Sequence, residues 1–180
     1  REGVALTDRW SRRWRPRRGD RIVSYGHLIE MAWLLLDVTR TIPGVEPGPV
    51  RDAVARVVTE VDVRGVDPDT GGIVRRGDLA GRITDGRFEH WAQAEALLAF
   101  AWLLRDQRAP HWWDRLERLW QFVQTHVVDH EVGEWHEGLR PDLRPYGIKG
   151  GIWKAGYHAT RALVDGAGVL REIEAAERGR

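Results

Sequence analysis

The sequence contains no cysteine, which excludes disulfide bonds and thiolate metal sites. It also lacks a long hydrophobic run, since its longest apolar stretch is about a dozen residues and a membrane-spanning helix needs about 20. No secretory signal pattern is present at its N-terminus. We therefore expect a reducing, cytoplasmic location and no membrane partner.

The sequence also lacks a charge excess, because 28 basic and 27 acidic side chains give a formal net charge of +1. No strong field is available to attract nucleic acid, and we expect no nucleic-acid partner. A glycine-rich phosphate loop and a nucleophile triad are missing too, so we predict no cofactor. What the 180 residues do contain is ten tryptophans, and indoles either fill a core or stack on the C–H faces of sugars.

Three stretches share one pattern, in which polar and aromatic residues precede an apolar run. These are residues 24–36, residues 91–104 and residues 153–164. An apolar run with few charges predicts a buried helix. If the three helices run parallel, their polar ends meet at one rim. His27 and Glu30 lie three residues apart on one of these helices, so they share a face at that rim.

Two other segments, residues 50–61 and residues 113–127, carry apolar residues on one face only, which predicts surface helices. Buried and one-faced helices therefore alternate, with loops and short extended pieces between them. An inner ring of helices wrapped by an outer ring produces this alternation. We predict an all-α fold of the α/α toroid type. Five or six helices cannot close such a ring, so we expect residues 1–180 to form a single domain that is an incomplete half-barrel.

Residues 1–22 combine arginine with tryptophan. Such a segment is either an arm that contacts nucleic acid or membrane, or an irregular connection that packs its indoles on the domain. We favour the irregular connection, because the rest of the chain carries no basic excess.

Four motifs, in their order along the chain, resemble those of the N-acylglucosamine 2-epimerase and cellobiose 2-epimerase family. They are Ser-Tyr-Gly-His-x-Ile-Glu at residues 24–30, Trp-x-Gln-Ala-Glu at 91–95, Gly-Glu-Trp at 133–135 and Trp-Lys-x-x-Tyr-His-x-x-Arg at 153–161. The resemblance implies an (α/α)6 barrel and epimerisation or isomerisation at the carbon beside a sugar's reducing-end carbonyl. We expect the chain to be the C-terminal half of such a barrel, completed by an N-terminal half-barrel or by a second copy in a homodimer.

The chain departs from the family pattern at three places. Leu28 stands where the family usually has aspartate, and Gly156 stands where proline is common. Residues 88–91 read Phe-Glu-His-Trp in place of Lys-x-Trp-Trp. We expect these changes to affect substrate preference more than reaction type.

Epimerisation beside a carbonyl removes a proton from one face of carbon 2, passes through an enediolate and returns a proton to the other face. The bases must work near neutral pH, which favours histidine. His27 and His158 are the candidate catalytic bases. An aldose–ketose isomerase of the same family and a catalytically incomplete, carbohydrate-binding remnant are the alternatives. A glycoside hydrolase fits less well, because it needs a carboxylate pair.

Eight further residues are candidates for substrate binding or support: Tyr25, Glu30, Trp91, Glu95, Trp135, Trp153, Tyr157 and Arg161. Glu30 or Glu95 can fix a histidine tautomer, and Arg161 can anchor a carboxylate or stabilise negative charge. The family resemblance implies stacking platforms at the three tryptophans. We interpret Lys154 as a solvated side chain.

A metal site is the remaining candidate, because His126 and His130 have the i, i+4 spacing that can hold zinc on a helix. They lie at the end of a one-faced helix, outside the His-Glu-x-x-His pattern. We predict no metal site.

Overall fold

The computed structural model describes residues 12–13 and 22–179, and most of this part of the chain is α-helical. In chain order the helices are α1 (Tyr25–Thr41), α2 (Pro47–Arg64), α3 (His90–Gln107), α4 (Pro110–Phe122) and α5 (Tyr157–Arg178). A short π-helix, Val123–Val127, continues α4. The prediction for residues 1–22 concerns a segment that lies almost entirely outside the described residues.

Six short strands form two antiparallel, three-stranded sheets in the described part. The first sheet contains β1 (Ile22–Ser24), β2 (Arg76–Asp78) and β3 (Ile83–Asp85), and the second contains β4 (Phe88–Glu89), β5 (Gly138–Leu139) and β6 (Pro145–Tyr146). β1 leads directly into α1, and β4 leads directly into α3. Each sheet therefore fixes the start of one helix, where polar residues of the predicted rim lie.

The core is organised around α3, which packs against α1, α4 and α5. Of its 18 residues, 13 are buried, because this helix is apolar nearly all round and has neighbours on several sides. The helix ends at Arg108, whose φ of 55° is left-handed, as is common at a helix C-terminus.

The helices α1, α3 and α5 run in the same direction. At their N-terminal ends, Arg161 of α5 contacts Glu30 of α1 and Glu95 of α3. At their C-terminal ends, Glu172 of α5 pairs with Arg105 of α3 at 3.0 Å, and it lies 3.8 Å from an arginine of α1. Contacts at both ends require parallel helices, so the polar ends meet at one rim.

Both α1 and α5 are buried on one side and exposed on the other, as expected for inner helices of an incomplete half-barrel. Met31, Leu34 and Leu35 of α1 are exposed, as is Leu163 of α5, and Val164 has 64% of its surface exposed. The reason is the number of neighbours: α3 lies between two parallel helices, whereas no described helix covers the far faces of α1 and α5. In the described residues, no helix is both long and apolar enough to cross a membrane.

The last helix begins at Tyr157 and not near Trp153 as the pattern predicts. Residues 148–156 form an irregular segment that contains two consecutive glycines, Gly150 and Gly151. Lys154 in this segment is only 2% exposed, so the interpretation of Lys154 as a solvated side chain is wrong. Its ammonium group bonds the Glu134 carboxylate at 2.9 Å, and this pairing holds the segment off the helical path.

Candidate active site

A pocket of about 430 Å³ opens at the N-terminal ends of the parallel helices. Five residues predicted from the sequence line it: His27, Glu30, Trp91, Trp153 and His158. Six others that line it were not predicted: Ser24, Arg75, Arg76, Glu89, His90 and Glu137. The pocket therefore combines two small sheets with three helix starts.

Trp91 lies next to both candidate bases. The centre of the His27 ring is 4.9 Å from that of Trp91, and the centre of the His158 ring is 5.7 Å from it. Gly26 permits this arrangement, because a Cβ atom on Gly26 would lie only 2.5 Å from the indole Cη2 and 2.9 Å from the Ala92 Cβ. The indole also donates a 3.0 Å hydrogen bond to Glu89.

Glu95 accepts three side-chain hydrogen bonds beneath the pocket. It accepts hydrogen bonds from the Trp33 indole at 2.7 Å, from His158 Nδ1 at 2.5 Å and from the Arg161 guanidinium. A carboxylate only accepts, so His158 Nδ1 carries a hydrogen. In the neutral ring, Nε2 then bears the lone pair and is able to take a proton.

These bonds also keep Glu95 charged. Burial would raise the pKa of this carboxyl group, but the hydrogen bonds from His158 and Trp33, together with Arg161, hold its pKa below the ordinary value. Glu95 therefore stays ionised at neutral pH, although only 1% of its surface is exposed.

Arg161 joins two carboxylates behind the pocket. Its guanidinium contacts Glu95, lies 3.4 Å from Glu30, donates to the Tyr157 hydroxyl and sits 4.6 Å from the centre of the Trp33 ring. Arg161 is not among the residues that line the pocket. Of the two roles expected for it, anchoring carboxylates fits this position better than stabilising negative charge on a ligand.

His27 is held at the first turn of α1. Its Nδ1 lies 2.8 Å from the hydroxyl group of Ser24, which is the last residue of β1. A hydroxyl either donates or accepts, so the serine can adapt to either neutral tautomer of the ring. The strand-to-helix junction thus orients this histidine beside Trp91.

Besides Glu95 and Arg161, three predicted residues do not line the pocket. Tyr25 is fully buried and packs against Gly65, behind α1. Trp135 is buried in the core, in a β-bridge with Val128, so it does not serve as a platform in this structure. Tyr157 is half-exposed and touches the His158 ring edge-on at 4.9 Å between ring centres.

The Gly-Glu-Trp motif has a structural function in the turn before β5. Glu134 adopts a left-handed φ of 68°, and its carboxylate accepts from the Trp135 amide at 2.9 Å and from Lys154. The hydrogen bond from the Trp135 amide and that from Lys154 hold the pKa of Glu134 below its ordinary value. Through Lys154, this turn holds the segment that presents Trp153, which is 87% exposed, at the pocket edge.

Five of the unpredicted lining residues lie in the short strands or directly before them, and the sixth, His90, begins α3. Arg75 pairs with Asp85 at 2.9 Å and with Glu89 at 2.8 Å, whereas Arg76 forms no ion pair with another described residue. Strands of two or three residues carry too little periodicity to be assigned from sequence. His90 had a signal, because it stands at one of the departures from the family motif.

Among residues 12–13 and 22–179, the ligand-type side chains close enough to share a cation are Glu30, Glu95 and His158, whose ligand atoms lie within 4.8 Å of one another. Arg161 already contacts both carboxylates, and its positive charge opposes a bound cation there. His130 bonds the Gln124 carbonyl, and the His126 ring packs on Phe122.

Comparison with known proteins identifies one family. The family model described as N-acylglucosamine 2-epimerase (GlcNAc 2-epimerase) matches residues 5–162. A cellobiose 2-epimerase of Bacteroides fragilis is 34% identical over 154 residues, which cover 80% of this chain and 37% of that protein. A D-mannose isomerase of Thermobifida fusca is also 34% identical, over 147 residues, which cover 78% of this chain and 35% of that protein.

The solved structure of cellobiose 2-epimerase from Spirochaeta thermophila superimposes with a TM-score of 0.77 at 31% identity. The match covers 91% of this chain and 41% of that one. Structures matched in this way are (α/α)6-barrel epimerases, so the predicted fold class is confirmed, and the described helices form part of such a barrel. The chain spans about two fifths of the length of these relatives, a share that agrees with the expected C-terminal half.

Proposed function

The chain belongs to the N-acylglucosamine 2-epimerase family, and on that premise we propose that the pocket beside Trp91 is part of the active site of a sugar 2-epimerase. The observation that carries the proposal is the placement of His27 and His158 around one indole, with His158 bonded to a buried carboxylate. The substrate is a mono- or disaccharide with a free reducing end, in its open-chain form.

His158 acts as the first base in this proposal. Its Nε2 takes the proton from carbon 2 while the electrons of the C–H bond move toward the carbonyl, which becomes an enediolate. Glu95 holds the proton on Nδ1 and stabilises the imidazolium that forms, because it is buried and ionised. Arg161 keeps Glu95 in place and acts as a positioning residue.

His27 returns a proton to the opposite face of carbon 2, which inverts that centre and regenerates the carbonyl. Trp91 lies next to both rings and supplies a flat surface on which a sugar face can stack. Trp153 borders the same pocket from the irregular segment before α5. Stacking on a fixed indole keeps carbon 2 within reach of both histidines. Holding the reacting groups in a fixed geometry lowers the entropic part of the activation barrier.

The enediolate carries a negative charge that needs a partner. Arg75 is already engaged by Asp85 and Glu89, whereas Arg76 lines the pocket without an ion pair to another described residue. Arg76 is therefore our candidate for balancing the charge on the reacting oxygens.

Aldose–ketose isomerisation is the second candidate, and the 34% identity to the D-mannose isomerase of Thermobifida fusca favours it. The same enediolate serves both reactions. A proton returned to carbon 2 gives the epimer, whereas a proton returned to carbon 1 gives the ketose. The products distinguish the two.

The test is incubation of the natural full-length protein with cellobiose and with mannose in heavy water. We expect deuterium at carbon 2 and formation of the epimer or the ketose. His27→Ala and His158→Ala should each lower turnover by about 10²–10⁴-fold, as is typical for loss of one acid–base group. The double variant should be little worse than either single variant, because each step is required for the cycle.

His111→Ala, on the exposed surface of α4, is the matched control and should leave turnover unchanged. Sugar binding without carbon-2 exchange would favour the non-catalytic, carbohydrate-binding remnant. Formation of the epimer that survives in both single variants would show that the two histidines are not the bases.

A further inference from the structure

His90 is a pocket residue to which the proposed mechanism gives no role. It is the first residue of α3, it lines the pocket, and its ring lies edge-on to the His158 ring with 6.5 Å between centres. Only 2% of its surface is exposed. A buried polar ring at the wall of a ligand pocket is expected to have a function, because burial without a hydrogen-bonding partner is unfavourable.

The hydrogen bonds of His90 fix its tautomer. Its Nδ1 lies 2.9 Å from the Glu137 backbone carbonyl, which only accepts, so Nδ1 carries the hydrogen. In the neutral ring, Nε2 is then an acceptor. This Nε2 is buried and has no hydrogen-bonding partner among the described residues.

The surroundings keep the ring neutral. Burial lowers the pKa of His90 to about 4, and the electrostatic interactions with Lys154 and His158 act in the same direction. The Glu137 carbonyl and the Glu134 carboxylate act in the opposite direction, but they do not prevail. Near neutral pH, His90 therefore presents a lone pair at Nε2 and no positive charge.

We propose that His90 is a sugar-binding residue whose Nε2 accepts a hydrogen bond from a hydroxyl group of the substrate. This inference rests on the proposed sugar epimerase function and adds a specificity determinant to it. A neutral acceptor pairs with a hydroxyl, which donates, and repels a phosphate or carboxylate oxygen, which only accepts. The pocket wall at His90 thus selects an uncharged sugar with a free hydroxyl group at this contact.

The departure of this chain from the family motif at residue 90 agrees with such a role. The family motif has tryptophan where His90 stands, and an indole N–H donates where the imidazole Nε2 accepts. The exchange reverses the hydrogen-bonding character of the pocket wall. It is therefore expected to change which sugar hydroxyl, and in which orientation, is bound best.

The decisive variant is His90→Phe in the natural full-length protein, which keeps a ring of similar shape and removes the acceptor. The Glu137 carbonyl still accepts a 3.1 Å hydrogen bond from the backbone amide of residue 90, so the substitution leaves no buried carbonyl without a donor. We expect KM and the calorimetric dissociation constant for the sugar to rise about tenfold, with kcat changed less than threefold. His90→Gln, which offers a side-chain acceptor, should recover part of the loss.

Single-deoxy analogues of the sugar locate the contact. One analogue should bind the unaltered protein about tenfold more weakly than the parent sugar, and the same analogue should lose nothing further in His90→Phe. His111→Phe, on the exposed side of α4, is the control and should behave as the unaltered protein. Unaltered melting temperatures in the variants show that the effect is on binding.

The outcomes separate this inference from the proposed function. Absence of carbon-2 exchange in the unaltered protein would overturn the proposed function, while calorimetry would still test the contact. Equal sugar affinity of the unaltered protein and His90→Phe, with the same response to every deoxy analogue, would overturn the role of His90. If His90→Phe does not fold, the affinity of His90→Leu, which also removes the acceptor, decides in the same way.

Discussion

At the scale of single residues, Glu95 connects the parts of the site. Glu95 is a residue of α3, and its carboxylate accepts hydrogen bonds from Trp33 of α1 and from His158 and Arg161 of α5. One buried carboxylate therefore links the three parallel helices and orients a candidate base. Its negative charge is compensated by a guanidinium that also reaches Glu30, so removing the charge of Glu95 takes from Arg161 the more deeply buried of its two carboxylate partners.

Replacing this charge tests both roles. Glu95→Gln should lower the free energy of unfolding by about 3–5 kcal/mol, because Arg161 loses its buried partner. It should also lower kcat by roughly 10²–10⁴-fold, because the amide no longer stabilises an imidazolium at His158. The measurements are urea unfolding and steady-state kinetics of the natural full-length protein.

Trp33→Phe is the matched control, because it removes one donor to Glu95 and leaves the bond to His158. Its hydrogen bond to a charged group contributes about 1.5–3 kcal/mol, and kcat should change only a few-fold. Equal losses of kcat in the two variants would contradict the role given to Glu95.

His90 makes a prediction about stability and pH. Its folded-state pKa of about 4 is below the unfolded value of 6.5. Above pH 6.5 the ring is neutral in both states, so it has no effect on the pH dependence. Below pH 6.5 the unfolded chain binds a proton that the folded chain does not, and stability falls until about pH 4, by about 3 kcal/mol in total.

His90→Phe should therefore flatten the stability curve between pH 6.5 and 4.5, whereas His111→Gln should not. The measurement stops at pH 4.5 so that Glu95 does not contribute to the slope. The stabilising effect of Glu95 is lost only at lower pH, because its folded-state pKa lies below the ordinary carboxyl value. Thermal unfolding at several pH values gives the comparison. Parallel curves for the unaltered protein and His90→Phe would contradict the prediction.

At the scale of elements, the site depends on how closely α1 approaches α3. The first turns of the two helices meet at Gly26, where the Trp91 indole and Ala92 occupy the space that a side chain would need. Both helices also follow strands directly, so the pairing of each strand in its sheet fixes the position of the first helical residues. This approach sets the position of Trp91 relative to His27.

Gly26→Ala should lower the free energy of unfolding by about 1–3 kcal/mol, the typical cost of overpacking, and should weaken sugar binding by displacing Trp91. Gly168→Ala on α5 is the control, because no atom lies within 4 Å of the added methyl group. That substitution should stabilise the helix by about 0.5–1 kcal/mol. Tryptophan fluorescence, unfolding and calorimetry report the three effects. Unchanged sugar affinity in a folded Gly26→Ala variant would show that Trp91 does not hold the sugar.

At the scale of the whole molecule, the two ends of the parallel helices differ in chemistry. The N-terminal ends carry the histidines and the pocket, whereas at the C-terminal ends Arg40 and Arg105 lie over the Trp102 ring, 5.2 and 4.1 Å from its centre. Positive side chains at helix C-termini complement the helix dipole. Apolar side chains are exposed on the outward faces of α1 and α5 in the part of the chain that the structure describes: Met31, Leu34 and Leu35 of α1, and Leu163 and Val164 of α5.

The 180-residue chain on its own should turn over sugar only weakly, because it matches only about two fifths of a barrel relative and so supplies only part of the wall of such a site. A substrate that contacts only part of the pocket wall spends little time in a reactive geometry. Incubation of this chain with cellobiose, mannose and N-acetylglucosamine in heavy water, beside the natural full-length protein, gives the comparison. Equal epimer formation by the two preparations would contradict the expectation and would show that residues 1–180 hold a sufficient site.

The sequence by itself determined the helices, their alternation and the side chains that gather at the rim. Apolar runs and one-faced repeats depend on neighbouring residues, and the helical period turns them directly into buried or half-buried faces. The four motifs placed His27, Trp91, Glu95 and His158 at helix starts, and the structure brings these starts together. Confirmation of the family followed from the same motifs.

Only the tertiary structure decided which of the candidate side chains face the pocket. Trp135 and Lys154 are buried and Trp153 is exposed, although all three belong to motifs of the same kind. Their positions depend on contacts between segments far apart in the chain, such as the Lys154–Glu134 pair. The same holds for His90, whose lone acceptor arises because the Glu137 carbonyl, 47 residues away, takes the other ring nitrogen. Local periodicity carries no information about such partners, since they are set by which helices and strands meet in space.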